Sequence, residues 1–154
     1  MREHDDSRFR APLPYPEVRV ARPNPFYARV LHDDFAGRAS ELTAILQYLY
    51  HHWVSGPGGE EIPDLAGLYK GIARVEMSHF EMLAETILLL GGRPAFAGSD
   101  GRLWSPADVY PGEGICDRLA ANLAGEEEAI ATYQRQAAFV RDPYVSALLL
   151  RIAK

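Results

Sequence analysis

The chain has 154 residues, 47% of them hydrophobic and 24% charged, which fits one globular domain large enough to bury a core. A net charge of −5 excludes nucleic-acid binding through bulk positive charge. A single cysteine excludes an intramolecular disulfide framework, a four-cysteine zinc site and a rubredoxin-type iron site.

The charged start MREHDDSRFR lacks the apolar stretch of a signal peptide, and no apolar run is long enough to span a membrane, so the expected compartment is the cytoplasm. Residues 1–24 carry Pro12, Pro14, Pro16 and Pro23 and read as an extended arm. The arm is expected to be poorly ordered at its start and packed as a strap near Val18 and Val20, rather than gripping another subunit. Residues 25–154 form the helical domain.

Asn24-Pro25 gives an N-cap and an N1 proline, and the helical pattern from there is expected to run to about Val54, where Gly56-Pro57-Gly58-Gly59 stops it. A second helix is predicted from Pro63 to Leu90, closed by Gly91-Gly92 and Pro94. Residues 93–113, rich in Gly and Pro, form a long loop. Such a loop is explained if it must travel the length of a bundle to join two helices running the same way. A third helix is predicted from about Ile115 to Arg141, and Asp142-Pro143 opens a short fourth. No segment alternates as a strand does, so the predicted fold is all-α: two helical hairpins joined by a crossover.

Two segments share the pattern Glu-x-x-Ala-Ile-x-x-Tyr: Glu41 to Tyr48 in the first helix and Glu126 to Tyr133 in the third. A fainter echo relates Ile72-Ala73-Arg74 to Ile152-Ala153-Lys154, so each half of the chain reads as one copy of a hairpin. At 100° per residue, Glu41 shares its face with Ala44, Ile45 and Tyr48, and Glu76 with Ile72, Ala73, Phe80 and Leu83. Glu126 shares its face with Leu119, Leu123, Ala129, Ile130 and Tyr133. A carboxylate on an apolar stripe is costly unless paired, protonated or metal-bound. Three of them, on three helices of one bundle, point to a shared cation.

His79, one turn after Glu76, can reach the same ion, so the candidate metal ligands are Glu41, Glu76, His79 and Glu126. Tyr48 and Tyr133 are expected to pack beside the carboxylates and donate to them. His52 follows on the Glu41 stripe but reads as a helix-end histidine meeting the C-terminal dipole. Glu127 is intermediate, whereas Glu81, Glu85 and Glu128 read as solvated. Cys116 reads as a small buried hydrophobe and Trp104 as an anchor for the crossover.

These residues resemble the ferritin-like superfamily of di-metal carboxylate proteins, in which two helices each give a Glu and two others each give a Glu-x-x-His. Glu41 and Glu126 match the single glutamates, and Glu76 with His79 matches one Glu-x-x-His. The stretches around Ser40-Glu41 and Arg74-Val75-Glu76-Met77-Ser78-His79 are similar to manganese-catalase-like and spore-coat-related proteins. Bacterioferritin-like and rubrerythrin-like proteins are close in pattern. The absence of cysteine pairs sets the chain apart from rubrerythrin-type electron transfer.

The resemblance implies two manganese or iron ions in a complete site and an oxidoreductase acting on hydrogen peroxide, dioxygen or ferrous iron, catalase-like or ferroxidase-like. The alternatives are a non-enzymatic structural, coat or iron-binding protein with an incomplete site, and a metal-free bundle binding an apolar ligand. A homodimer is expected, with no nucleic-acid or membrane partner, and spore association is a second possibility for its location.

The second Glu-x-x-His of the family has no counterpart. By the repeat its members would fall about two and five residues beyond Lys154. The chain therefore reads as a C-terminally shortened form, with room for one ion or none. Extending the last helix by about two or three turns, with a Glu-x-x-His at the mirrored spacing, is expected to raise metal content toward two ions per chain. Two ions held tightly by the 154-residue monomer would contradict this.

Overall fold

The computed structural model describes residues 9–154. The start of the arm, for which disorder is expected, lies outside the described residues. The helices among the described residues are α1 (Pro25–Val30), α2 (His32–Ala36), α3 (Glu41–Ser55), α4 (Pro63–Leu89), α5 (Ile115–Phe139) and α6 (Pro143–Ile152). One short 3-10 turn, Pro106–Asp108, lies in the crossover, and the strand-like pairing there is an isolated bridge between Ala97 and Leu103. The architecture is an all-α bundle of two hairpins, α3–α4 and α5–α6, with α1 and α2 extending the first arm.

The first helical stretch is not continuous, contrary to the expectation of one helix to Val54. It bends at Leu31 and breaks at residues 37–40. Gly37 turns extended so close to the previous turn that a Cβ there would lie 2.4 Å from the Asp33 carbonyl oxygen, a contact only glycine avoids. Ser40 then restarts the helix, its side chain accepting from the Thr43 amide at 3.4 Å. This restart puts Glu41 in the first turn of α3, where unpaired backbone N–H groups favour a carboxylate.

The other boundaries follow from local chemistry. Asn24 accepts from the Phe26 and Tyr27 amides with Pro25 at N1. Gly91, at φ +87°, closes α4, with the Gly92 amide bonded to the Ile87 carbonyl at 2.9 Å. Asp142 caps α6 through the Tyr144 and Val145 amides.

The apolar core sits at one end of the bundle, where Leu31, Phe35, Leu83, Ile87, Leu148 and Leu149 meet. Burying each such side chain contributes roughly 1.5–3 kcal/mol. The crossover runs along α2 and α3, pinned in order by Ser99 on Asp33, Trp104 Nε1 on Thr43 Oγ1 and the Tyr110 backbone on Gln47 and His51. These pins account for its length: it traverses the bundle. The strap packs Tyr15, Val18 and Val20 against the core, and its Ala21 amide donates to Asp142 Oδ2 at 2.7 Å.

Besides the contacts of that apolar core, a row of polar contacts joins α2 and α3 to α5. Tyr133 donates to Glu41, Tyr48 to Glu126 at 2.6 Å, and Gln47 to Asn122 Oδ1 at 2.9 Å. The ring of His51 meets Asn122 Nδ2 at 3.1 Å. At the end of this ladder Gln136 hydrogen-bonds Asp34, while Asp34 Oδ2 and Gln136 Oε1 are both buried without a partner. A proton on Asp34 supplies the donor that two unpartnered acceptors lack. Burial pushes this carboxyl up to about 8, with Asp33 adding to the rise against the Gln136 hydrogen bond.

The sign follows from linkage. The folded state holds a proton on Asp34 that the unfolded state has released above the ordinary carboxyl range, so stability falls as pH rises from about 4 to about 8. Each pH unit in that window removes up to about 1.4 kcal/mol. Asp34→Asn should therefore melt progressively higher than the wild type as pH rises from 5 to 8. Parallel melting temperatures across that range would contradict the assignment.

Candidate metal centre

Glu41 on α3 and Glu76 and His79 on α4 converge. Each offers a ligand atom, and these atoms all lie within 4.8 Å of one another. His79 Nδ1 stands 2.9 Å from Glu76 Oε2 and 3.8 Å from Glu41 Oε1. All three side chains are buried. The Glu-x-x-His spacing stacks its members on one face of α4, and the Ser40 cap delivers Glu41 to the same level from α3.

Glu126, on α5, lines the same cavity of about 400 Å³ but stands outside the tight trio. Its Oε1 accepts from Tyr48. The environment expected for it requires correction. Leu119, Leu123 and Ile130 are 41%, 61% and 39% exposed, so the apolar stripe of α5 faces outward. The buried face of α5 is instead largely polar, with Arg118, Asn122, Tyr133 and Gln136.

The electrostatics show a surplus of negative charge. Burial pushes Glu76 up, and the neighbouring Glu41 charge adds to the shift. Burial also raises Glu126, with Glu76 contributing. For His79 burial acts downward, but the hydrogen bonds and charges of Glu41 and Glu76 outweigh it and push the imidazole up. Tyr48 and Tyr133 are raised first by burial and then by the carboxylates they serve, so both remain donors. The single Lys or Arg among the residues lining the cavity is Arg38, whose side chain is 76% exposed and directed at Asp108. Among the described residues, the cavity lining holds no other Lys or Arg to offset Glu41, Glu76 and Glu126. Oxygen-rich donors with one imidazole fit iron or manganese, so the residues present suit such an ion.

The remaining candidates lie elsewhere. His52 Nδ1 faces the Ala66 carbonyl oxygen on α4 at 2.8 Å, so its partner is a neighbouring helix rather than the dipole of its own. Cys116 is exposed rather than buried, because it falls on the outward side of the first turn of α5. Glu127 is exposed, as are Glu81, Glu85 and Glu128. Two residues were not singled out by sequence reasoning. Asp34 lines the same cavity, but the break at residues 37–40 separates it from Glu41, so helical spacing does not mark it as a neighbour. Tyr15 reaches His79 Nε2 with its hydroxyl at 2.6 Å from the strap, where no periodicity gives a signal.

The comparisons with known proteins bear on the family and the fold. Residues 38–151 match the family model described as a ferritin-like domain. A probable manganese catalase of Clostridium acetobutylicum is 29% identical over 77% of this chain and 60% of its own length, so the chain spans about three-fifths of that relative. Protein CotJC of Bacillus subtilis is 31% identical over 79% of this chain and 72% of its own. Among solved structures, KatB, a manganese catalase from Anabaena, superposes with a TM-score of 0.82 at 24% identity, over 94% of this chain and 72% of KatB. Rhodobacter capsulatus bacterioferritin superposes with a TM-score of 0.66 at 24% identity, over 86% and 74% of the two chains. At those identities the structures establish the fold. The match to the family model covers most of the chain, and with it this protein belongs to the ferritin-like family.

Proposed function

We propose that Glu41, Glu76, His79 and Glu126 hold manganese or iron and that the centre acts on peroxide or dioxygen. Peroxide disproportionation at manganese is the leading version and ferrous-iron oxidation the second. The observation that carries this reading is the cluster of buried carboxylates around His79, in a cavity whose described lining holds no buried Lys or Arg. The name of the Clostridium relative supports manganese.

The bound metal would supply the redox change. This chain's residues do the rest. Glu41, Glu76 and His79 offer donor atoms for one ion from two helices, and Glu126 approaches from the opposite hairpin. Tyr133 and Tyr48 fix the orientations of Glu41 and Glu126 by donating to one oxygen of each. Ile152 and Ala153 of the last helix line the cavity with apolar groups, which limits water on that side of the reacting species.

Anaerobic loading with manganese(II) or iron(II), followed by elemental analysis, tests the reading. The wild type should retain metal through gel filtration, and Glu76→Gln should bind at least about tenfold more weakly. Oxygen evolution from hydrogen peroxide without added reductant identifies the catalase version; consumption of dioxygen with ferrous oxidation identifies the other. A wild type that retains no metal overturns the proposal in favour of a structural protein.

We also propose self-association into a twofold dimer through the outward face of α5, since Leu119, Leu123 and Ile130 form an apolar stripe there. Light scattering at micromolar concentration should give twice the chain mass, and Leu123→Lys should reduce it. A wild-type monomer would contradict the assignment.

A further inference from the structure

We propose that Tyr15, carried on the N-terminal strap, is the positioning residue for the His79 imidazole, and that Arg151 is the clamp that holds it there. The inference rests on the metal reading above.

The His79 ring is held at both nitrogens. Nδ1 faces Glu76 and Glu41, and Nε2 lies 2.6 Å from the Tyr15 hydroxyl. The two rings meet edge to face, with centroids 5.6 Å apart and planes at 73°. An imidazole that gives the Nδ1 lone pair to an ion must carry its proton on Nε2, and that proton needs an acceptor. The Tyr15 oxygen is the atom in place. A hydroxyl can accept as well as donate, so the same contact also serves the ring when Nδ1 carries the proton toward Glu76.

Tyr15 sits in a segment without helix or strand, so something else must fix it. The buried Arg151 of α6 does so from two directions. Its guanidinium carbon lies 4.1 Å from the centroid of the Tyr15 ring. Its Nε donates to the Leu13 and Pro14 carbonyls at 3.1 and 3.2 Å, and its Nη2 donates to the carbonyls of Ala11, at 3.0 Å, and Leu13. The last helix of the chain thus grips the strap, and the strap holds the metal histidine on α4. Arg19 stacked over Tyr144 at 4.1 Å and the Ala21–Asp142 bond anchor the next turn of the path.

The experiment uses the full chain and manganese(II) as probe, with two readouts: the manganese(II) dissociation constant, and the ring-nitrogen chemical shifts of His79 in metal-free, histidine-labelled protein. Tyr15→Phe keeps the ring but removes the hydroxyl. It should weaken manganese(II) binding about 10–100-fold and move the His79 nitrogen shifts, with little change in melting temperature. Arg151→Met should act in the same direction, and the double variant should lose no more than the worse single one. Val18→Ala, which loosens the strap's packing alone, should lower the melting temperature and leave both readouts unchanged. Tyr15→Phe with wild-type affinity and unmoved shifts would overturn the proposal while leaving the metal reading intact. So would Val18→Ala reproducing both effects. A wild type that binds no manganese(II) would overturn the metal reading itself.

Discussion

The two hairpins are joined across their middle by hydrogen bonds, and the orientation of Glu41 and Glu126 depends on that polar seam. Asp34 meets Gln136, Glu41 meets Tyr133, Tyr48 meets Glu126, and Gln47 with His51 meets Asn122. From Asp34–Gln136 through Glu41–Tyr133 and Tyr48–Glu126 to His51–Asn122, numbers rise along α2 and α3 as they fall along α5, as antiparallel helices require. An intramolecular hydrogen bond contributes only about 0.5–1.5 kcal/mol net, but a buried partner left unpaired costs about 1–3 kcal/mol. The seam is therefore weak as glue and strong as a constraint on register. Sliding α5 by one turn would unpair every rung. The larger apolar cluster gathers around Leu83, Ile87 and Leu149 and a smaller one around Tyr48, Tyr69 and Ala73, and the charged groups lie between side chains of the two.

The internal repeat gains a physical meaning from this seam. Each copy carries a glutamate and, seven residues on, a tyrosine. The tyrosine of each copy donates to the glutamate of the other. The exchange makes the two copies mutually dependent: neither glutamate is oriented by its own helix. It also explains why the tyrosines are buried although each carries a polar hydroxyl.

Much of this was legible in the sequence, for reasons that can be stated. Glu41, Glu76 and His79 stood out because a carboxylate in an apolar stripe conflicts with burial, and the conflict is visible at helical spacing. Glu126 rests on the same stripe argument, which fails there because Leu119, Leu123 and Ile130 face outward; the repeat that pairs it with Glu41 is the signal that holds. Amphipathicity tells which residues share a face, and it does not tell whether that face meets the core or another surface. The break at residues 37–40 was hidden because Gly37 and Ser40 interrupt a helical pattern that resumes on both sides. Asp34 and Tyr15 are legible only in three dimensions: one is brought to the cavity by that break, the other by a strap whose path is set by Arg151.

The central claim is that the buried carboxylates around His79 exist to hold a transition-metal ion. Anomalous X-ray scattering at the manganese edge, from crystals of the manganese(II)-loaded chain, tests it most directly. The account predicts a peak within bonding distance of Glu41, Glu76 and His79 Nδ1, with the His79–Glu76 hydrogen bond replaced by ligation. A peak only at the surface, or none with that hydrogen bond intact, would contradict it.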